Sequence, residues 1–472
     1  MPRKTGEPTL DHESHVIQPS LLKEYPLVSH GKGIYLYDSE GKRYLDGCSG
    51  ALVVNIGHGN LDIVRAMREQ ASKVCFTFRG QFANRPAEEL AALLADLAPG
   101  DLNRVFFVNS GSEATEMAIK IAIQYWQERG CFTKNRVISR WMSYHGITLG
   151  ALSVSGHRAR RRRFAQLLLD GPVAPPPYCY RCPLGQRYPD CRLLCAGELE
   201  RAIQLIGPEN IAAFIFEPVI GASGGAVVPP DGYNEKIAEI CRRYDVLLIA
   251  DEVMTGFGRT GRMFAVEHWG VVPDIMAIGK GLSGGYAPIA ATMVGERIFR
   301  TIAAGSGAIT SGHTFSANPL ACAVALAVVR YLLAHRLVEK AGRSGRYLEK
   351  KLRRLARKHP LIGDVRGRGM MWGVELVKNR FTGEPFAGEL NVTGTVIDRA
   401  MQNGLIIYNA DGAFAGPQGA AFMVAPPLTI TRKEIDVLIE LLDLTLRQVG
   451  EQLGAYTVPG LPLEPGGTRR VP

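Results

Sequence analysis

The sequence predicts an α/β protein in which a large domain carries a central, mostly parallel sheet and a smaller α+β domain follows it. Short runs dense in branched and aromatic residues alternate with helical patterns along the middle of the chain. Such runs are typical of parallel strands that are buried on both faces. They are RVFFV (104–108), RVIS (136–139), AAFIFE (212–217), VLLIA (246–250) and DIMAI (274–278).

The pattern of predicted helices and strands changes toward the C-terminus. Long helical segments cover about 319–358, and the candidate strands VRGRGMMWGVELV and GLIIYN follow. Thr431 and Glu434 form a capping box for a final helix. The early stretch GIYLYDSEGKRYLDG supplies strands that should join this part. We therefore expect an N-terminal segment that packs with the small domain (1–60), a large domain (61–325) and a small domain (326–472).

Length and composition indicate an ordinary globular protein of 472 residues with 46% hydrophobic and 21% charged residues. A net charge of +10 favours anionic ligands weakly and does not indicate nucleic acid. The longest apolar run, Pro319 to Val329, is too short to cross a bilayer, and no targeting segment is recognisable, so we expect no membrane association. Nine scattered cysteines favour reduced thiols and a cytoplasmic location.

The stretch VNSGSEATEMAIKIA (108–122) predicts a strand, a tight turn and an amphipathic helix. Free backbone N–H groups at the helix start, together with the helix dipole, form an anion site. The small residues Ser110, Gly111 and Ser112 would let a phosphate approach the backbone closely. The alternative is an ordinary strand-to-helix turn with a serine as the N-cap.

Two further motifs follow apolar strands. In VLLIADEVMTGFGRTG, Asp251 stands at the strand end, where a carboxylate can pair with a protonated ring nitrogen and keep that ring an electron sink. In DIMAIGKGLSGG, Lys280 lies between Gly279 and Gly281, and a desolvated lysine can form a Schiff base with an aldehyde. The alternatives are a turn-capping aspartate and a surface lysine on a flexible loop.

Together with SYHG, FEPV and GHTFSANP, these motifs resemble the class III, or subgroup II, aminotransferases of the fold type I pyridoxal-phosphate superfamily. Six motifs occur in the order of that family, and the resemblance extends from YLYDSEGKRYLDG to APPLTIT. It implies the fold type I architecture, pyridoxal 5'-phosphate as cofactor and an ω-transaminase-like reaction. In that reaction an amine donor gives its amino group to a keto acid by a ping-pong transfer.

The resemblance also implies roles for individual residues. Lys280 would be the Schiff-base lysine and proton shuttle, Asp251 would contact the pyridine nitrogen, and Tyr144 would stack on one face of the ring. Thr314 would reach the phosphate of a neighbouring subunit, which implies a homodimer with shared active sites. The other cofactor contacts would be Ser110, Gly111 and Ser112 at the phosphate, Val253 beneath the ring, and His145 and Glu217 as supports.

Substrate choice depends on two departures from the family pattern. Members that act on acidic donors often carry a glutamate after EPV and an arginine before PPL, whereas this chain has Ile220, Ala222 and Met423 near those positions. No bidentate clamp for a carboxylate is visible there, so we expect an ω-amino acid or simple amine donor with pyruvate as acceptor. Leu52 or Val53 would form an apolar wall of the substrate pocket.

Two segments fall outside the family pattern. Four cysteines occur in PYCYRCPLGQRYPDCRLLCAGELE, and they could hold a structural zinc ion or remain free thiols or disulfides. HRARRRRF (157–164) could attract acidic partners or anionic substrates, but a solvated loop or helix face is the simpler interpretation. The four cysteines are Cys179, Cys182, Cys191 and Cys195.

Other functions stay open at this stage. One cofactor supports several carbanion fates, so the chain could be an aminomutase, a racemase or a decarboxylating aminotransferase of the same fold. A cofactor-binding protein without turnover is a further alternative, as is a nucleic-acid-binding module resting only on the arginine block.

Overall fold

The computed structural model describes residues 15–410 and 419–454. Its helices are α1 (Ser49–Leu52), α2 (Leu61–Lys73), α3 (Arg85–Leu97), α4 (Gly111–Glu128), α5 (Leu149–Ser153), α6 (Arg158–Arg161), α7 (Leu194–Ile206), α8 (Tyr233–Arg243), α9 (Glu296–Ala304), α10 (Pro319–Ala334), α11 (Leu337–Lys358), α12 (Val392–Gln402) and α13 (Arg432–Gln452). Its strands are β1 (Val28–Lys32), β2 (Tyr35–Asp38), β3 (Arg43–Asp46), β4 (Leu102–Val108), β5 (Arg136–Arg140), β6 (Val173–Ala174), β7 (Ile211–Phe216), β8 (Leu247–Asp251), β9 (Ile275–Ile278), β10 (Ala290–Gly295), β11 (Ile362–Arg368), β12 (Met371–Leu376), β13 (Leu405–Ile406), β14 (Tyr408–Asn409) and β15 (Ala420–Val424).

A seven-stranded sheet in the order β4-β10-β9-β8-β7-β5-β6 forms the centre of the molecule. The five strands expected from apolar runs are confirmed as β4, β5, β7, β8 and β9, and the mostly parallel character is confirmed as well. Strand β10 is the exception, because it runs antiparallel to both β4 and β9. Helices cover the sheet, and α4 packs against β9 and β10.

The carboxyl ends of β4, β7, β8 and β9 meet at one edge of this sheet. Strand β4 leads into Ser110 and α4, β8 ends at Asp251, and β9 is followed by Lys280. In open α/β sheets ligands bind at this edge. The topology therefore brings the three sequence motifs together, although Ser110 precedes Asp251 by 141 residues and Lys280 by 170 residues.

Two smaller sheets make up the rest of the described fold. One is antiparallel, in the order β11-β12-β15-β14, and the other has the order β1-β2-β3-β13. In the second sheet β3 pairs in parallel with β13, which places Leu45 opposite Leu405. This pairing agrees with the prediction that the early strands join the C-terminal part.

The capping box predicted for the last helix is also confirmed. Thr431 Oγ1 accepts a hydrogen bond from the backbone N–H of Glu434, at 3.3 Å. In return, Glu434 Oε2 accepts one from the backbone N–H of Thr431, at 2.8 Å. The two bonds satisfy donors that a helix start would otherwise leave free.

Helix α10 crosses the expected domain boundary at 325/326. It is largely buried, as its apolar run predicts, and it packs on α2 and α3. The chain turns at Arg336, which has a φ of +50°, and continues as α11. The three-part division of the chain therefore stays a proposal, with this helix shared between the two larger parts.

Among the described helices, none is both long and apolar enough by itself to span a membrane; α10 and α11 meet the criteria of length and composition only as a pair, bent by 62°.

Arg259 connects the large domain to the small domain and to the N-terminal segment. Its buried guanidinium donates to the carbonyl oxygens of Met370, Ala425 and Pro426, at 3.2, 3.0 and 2.7 Å. It also donates to Asn55 Oδ1 at 2.6 Å. These contacts give Arg259 a structural role in the described fold.

Candidate active site

Lys280 lies directly after β9 in a strained backbone conformation. Its φ is +43°, a region that residues with a side chain rarely adopt. The flanking glycines allow this, since a Cβ on Gly281 would lie 2.3 Å from Asn55 Nδ2. Burial lowers the pKa of Lys280 to about 8, and the carboxylates of Asp251 and Glu217 oppose that shift. At physiological pH a minority of the amine is therefore neutral, and this fraction is a competent nucleophile.

Asp251 is held in a fixed orientation at the end of β8. Its Oδ2 lies 2.7 Å from Nδ1 of His145, and its Oδ1 accepts a hydrogen bond from the backbone N–H of Val253 at 3.0 Å. Both His145 and Asp251 are buried. This geometry presents a carboxylate at the sheet edge, with its rotation prevented by two partners.

Glu217 is the second buried carboxylate of the site. Its Oε1 accepts from the backbone N–H of Tyr144 at 3.1 Å, and its Oε2 accepts from that of Gly221 at 2.7 Å. Burial raises the pKa of Glu217, and the negative charge of Asp251 adds to this effect, whereas His145 opposes it. The glutamate thus fixes the loop that carries Tyr144, which agrees with a supporting role.

The start of α4 has the strand, turn and helix that the sequence predicts for an anion site. Ser110 is the N-cap and accepts from the backbone N–H of Glu113 at 3.2 Å, so the N-cap alternative is also realised. A Cβ on Gly111 would lie 2.7 Å from Val253 Cγ1, so glycine is needed where α4 meets the loop after β8. Ser112 Oγ accepts from the backbone N–H of Ile147 at 3.0 Å. The cap takes up the N–H of Glu113, and a helix start leaves further backbone N–H groups that can bind an anion.

Tyr144 is half-buried and has two neighbours that the sequence analysis did not assign to the site. His157 meets its ring edge-on, with the ring centroids 5.9 Å apart. The guanidinium carbon of Arg160 lies 4.9 Å from the Tyr144 ring centroid. The sequence favoured a solvated surface for the whole arginine block and left binding of anionic substrates as an alternative. It could not single out one of the five arginines, because only the path of the chain decides which of them meets Tyr144.

The substrate-pocket candidates divide into two groups. Leu52, Met423 and Ile220 are buried in one apolar cluster, and Ala222 packs against it. Val53 lies elsewhere, because its Cγ1 is within 3.4 Å of a Cβ position on Gly285, in the turn after Lys280. The structure therefore brings Ile220, Ala222 and Met423 together. Of the two candidates for the apolar wall, Leu52 lies in their cluster and Val53 does not.

Thr314 lies on the exposed loop that precedes α10. Next to it, His313 Nδ1 is 3.6 Å from Glu113 Oε1 in the first turn of α4. The loop also carries the exposed Phe315, whose ring meets that of Phe76 at 5.7 Å. Thr314 thus stands on an aromatic surface close to the helix start.

The four-cysteine segment packs on the small domain. All four of its cysteines are free thiols, and no group of three or more metal-ligating side chains in the described part of the chain is arranged to hold a metal ion. The segment is instead fastened to β12, since Tyr178 and Arg181 both bond to Glu375, the latter at 2.7 Å. The zinc hypothesis therefore gains no support from the geometry. The four thiols are those of Cys179, Cys182, Cys191 and Cys195.

The residues at the sheet edge fit a planar, phosphate-bearing aldehyde cofactor. Nε2 of His145 is buried and has no hydrogen-bond partner in the described part of the chain. Gly111, the oriented Asp251 and Lys280, whose pKa is lowered, would supply contacts for a phosphate, a ring nitrogen and an aldehyde, respectively.

Comparison with known proteins agrees with this site. Residues 20–446 match the family model described as aminotransferase class-III. An uncharacterized aminotransferase, YodT, of Bacillus subtilis is 49% identical over 440 residues, which cover 93% of this chain and 99% of YodT. The putrescine–pyruvate aminotransferase of Pseudomonas aeruginosa is 39% identical over 419 residues, covering 88% of this chain and 89% of that protein.

Solved structures give the same result. A thermostable (S)-enantioselective ω-transaminase from Thermomicrobium roseum superposes with a TM-score of 0.86 at 41% identity and covers 92% of this chain and 96% of its own. An ω-transaminase from Pseudomonas jessenii in complex with PMP has a TM-score of 0.86 at 37% identity, with 91% and 94% of the two chains covered. The protein belongs to the class III aminotransferases, a family of pyridoxal-phosphate-dependent enzymes with the fold type I architecture.

Proposed function

We propose that this aminotransferase binds pyridoxal 5'-phosphate through Lys280 and moves an amino group from an ω-amino acid or simple amine to pyruvate. One observation carries the proposal: a lysine with a depressed pKa stands at the ligand-binding edge of the sheet, beside an oriented carboxylate. When bound, the cofactor supplies an electron sink for the pair of electrons left at the donor carbon.

The protein's own residues supply the remaining steps. Once the donor has displaced it, the amine of Lys280 would take the proton from the donor carbon and deliver it to the cofactor. Asp251 keeps a positive charge on the ring nitrogen, and His145 keeps Asp251 in place. Tyr144 and Val253 would pack against the ring, and Ser110, Gly111 and Ser112 would hold the phosphate.

Arg160 is our candidate for binding the carboxylate of the keto acid. The positions near Met423 are apolar in the described cluster and offer no cation. Arg160 lies over Tyr144. Burial raises the pKa of Tyr408, and the positive charge of Arg160 opposes that shift. Tyr408 is paired with Met423 across β14 and β15, so the charge of Arg160 acts on the same region. A guanidinium there can bind a carboxylate through two hydrogen bonds.

A panel of donors and acceptors tests the substrate assignment. We expect ω-amino acids and simple amines to react faster than glutamate, and pyruvate to be a better acceptor than 2-oxoglutarate. The similarity to a putrescine–pyruvate aminotransferase supports this choice. Best turnover with glutamate and 2-oxoglutarate would contradict it. Product analysis in the same panel detects aminomutase, racemase or decarboxylating activity.

The attachment site needs its own experiment. Borohydride treatment of the cofactor-saturated protein, followed by peptide mass spectrometry, should find the cofactor on Lys280. Lys134 is a suitable control, because burial lowers its pKa too but it lies far from the sheet edge and donates to backbone carbonyls. Recovery of the label on Lys134 or on several lysines would rule out the assignment.

We further propose a homodimer in which Thr314 of one subunit contacts the cofactor phosphate of the other. Thr314 and Phe315 are exposed, as are Phe78 and Phe82, and such aromatic surfaces mark protein contacts. Thr314→Val should weaken cofactor binding without changing the dimer mass in light scattering. A monomer in solution would contradict the proposal. The cytoplasmic location, supported by nine free cysteines, stays a prediction.

A further inference from the structure

A cleft of about 640 Å³ lies between the two domains, away from the candidate active site. The large domain contributes the turn after Arg259, from Thr260 to Arg262, together with His268. The small domain contributes one face of α11 and the turn between β11 and β12. No residue proposed above to contact the cofactor lines this cleft.

Glycines form the floor of the cleft and bring three backbone segments together. A Cβ on Gly345 would lie 2.2 Å from the carbonyl oxygen of Gly369, and one on Gly369 would lie 2.3 Å from the carbonyl carbon of Thr260. Gly261 has a φ of +88°, and a Cβ on it would lie 3.1 Å from Cα of Gly342. Side chains other than glycine would fill the space or separate the domains here, so the shape of the cleft is built into the fold.

Four arginines line the walls, and none lies within 4.0 Å of a carboxylate from any described residue. The two glutamates of the lining are engaged on α11 itself: Glu339 pairs with Arg336 at 3.4 Å and Glu349 with Arg353 at 2.9 Å. The arginines are Arg262, Arg343, Arg346 and Arg368.

The field inside the cleft is positive at its inner end. Arg368 is half-buried and stacks over Trp269, with 5.4 Å from its guanidinium carbon to the ring centroid. Burial lowers the pKa of Arg368, and the charge of Arg262 lowers it further, while Asp231 opposes both. Burial together with the charges of Arg368 and Arg262 lowers the pKa of His268 to about 4, against the opposing effect of its hydrogen bond to the backbone of Thr260. Two cations therefore lie close enough to repel each other at this end of the cleft, and an anion placed between them would relieve that repulsion.

We propose that this cleft is a binding site for a small polyanion that carries phosphate or carboxylate groups. Guanidinium groups bind both kinds of oxyanion through paired hydrogen bonds, and the volume is within the range of small-molecule sites. Because the arginines come from both domains, the bound ligand joins them across the junction. The site does not depend on the transamination reaction.

Calorimetric titration of the cofactor-saturated protein at low salt tests the proposal. Pyrophosphate and citrate serve as the two probes, and the tighter one identifies the preferred oxyanion. We expect one site per chain and at least a tenfold loss of affinity in Arg262→Gln/Arg343→Gln. Both residues are exposed, so the variant should fold. The absorbance of the bound cofactor must stay constant, which excludes binding at the cofactor phosphate site.

Arg354→Gln/Arg357→Gln is the matched control, because it removes two exposed charges from the other half of α11. It should bind the probes as the unmodified protein does. An equal loss in both double variants would show attraction to a basic surface only and would overturn the proposal, as would the absence of binding for both probes.

Discussion

At the scale of single residues, the proposed Schiff-base residue Lys280 has an amine suited to reaction with an aldehyde. The pKa of its amine is lowered to about 8, so the neutral, nucleophilic fraction grows as the pH rises through 8. We expect the rate of chromophore formation in apoprotein to increase between about pH 7 and 9, with its midpoint near 8. Stopped-flow absorbance measures this directly.

Asp251→Asn supplies the control for that pH profile. The carboxylate of Asp251 raises the pKa of Lys280, so its removal should move the midpoint to lower pH. A midpoint near the unperturbed lysine value of 10.5, or no change in the variant, would contradict the assignment.

Arg160 gives a second prediction at this scale. Arg160→Gln should raise KM for pyruvate about tenfold, which corresponds to roughly 1.4 kcal/mol and is typical of a lost hydrogen bond to a charged group. The half-reaction with a simple amine donor should change little, because that donor has no carboxylate. Steady-state and single-turnover kinetics separate the two effects. Arg162→Gln, an exposed neighbour on the same segment, is the control and should leave KM unchanged.

Motifs identified the residues whose chemistry is unusual for their position, such as a lysine between glycines after a buried strand. They could not identify Arg160, because five arginines within 158–163 look alike in sequence and only the turn of the chain decides which one meets Tyr144. They also could not separate Leu52 from Val53, since adjacent residues point in different directions and only the tertiary packing shows where each one goes.

At the scale of elements, the contact between α4 and the loop after β8 limits what can replace Gly111. Gly111→Ala would place a methyl group 2.7 Å from Val253 Cγ1. We expect a loss of stability of about 1–3 kcal/mol, typical of overpacking, and weaker cofactor binding, because the loop that carries Val253 must move. Gly197→Ala is the control: its Cβ would meet nothing within 4 Å, and it lies within α7. Thermal melts and cofactor titrations of both variants test this prediction. Equal stability and equal cofactor affinity of the two variants would contradict the role of Gly111.

Apolar runs predicted five strands of the central sheet but not β10. Ala290 to Gly295 contains two alanines and a threonine, and it follows the glycine-rich stretch after Lys280, so its pattern is weaker than that of the buried parallel strands. Its antiparallel direction depends on pairing with both β4 and β9, which no local pattern encodes. The capping box of α13 was predictable because a cap is a local interaction.

At the scale of the whole molecule, Arg259 holds together parts that are distant in sequence. Arg259→Met removes a buried cation and takes the guanidinium donor away from the carbonyl oxygens of Met370, Ala425 and Pro426, of which that of Ala425 keeps a hydrogen bond from Ser49 Oγ at 2.7 Å. We expect a loss of at least about 3 kcal/mol, since each buried acceptor without a partner costs about 1–3 kcal/mol. Arg259→Lys should lose less, and the exposed Arg262→Met should melt like the unmodified protein. Calorimetry compares the three, and a normal melting temperature for Arg259→Met would contradict this role.

The division into domains was only partly predictable from sequence. Composition separated the parallel core from the C-terminal part, and the pairing of β3 with β13 agrees with an N-terminal segment that belongs to the latter. The boundary at 325/326 fell inside α10 because that helix is apolar throughout and packs on the large domain, while the turn at Arg336 leaves no glycine or proline signal.

That pairing of β3 with β13 has a consequence for biosynthesis. The N-terminal strands emerge from the ribosome first, yet their partner Leu405 is made about 360 residues later, which takes roughly 20–70 s at about 5–20 residues per second. During that interval one edge of the nascent sheet has an open row of backbone donors and acceptors. Newly made chains should therefore depend on chaperones until translation is nearly complete, and truncated messages that stop before this codon should yield insoluble product.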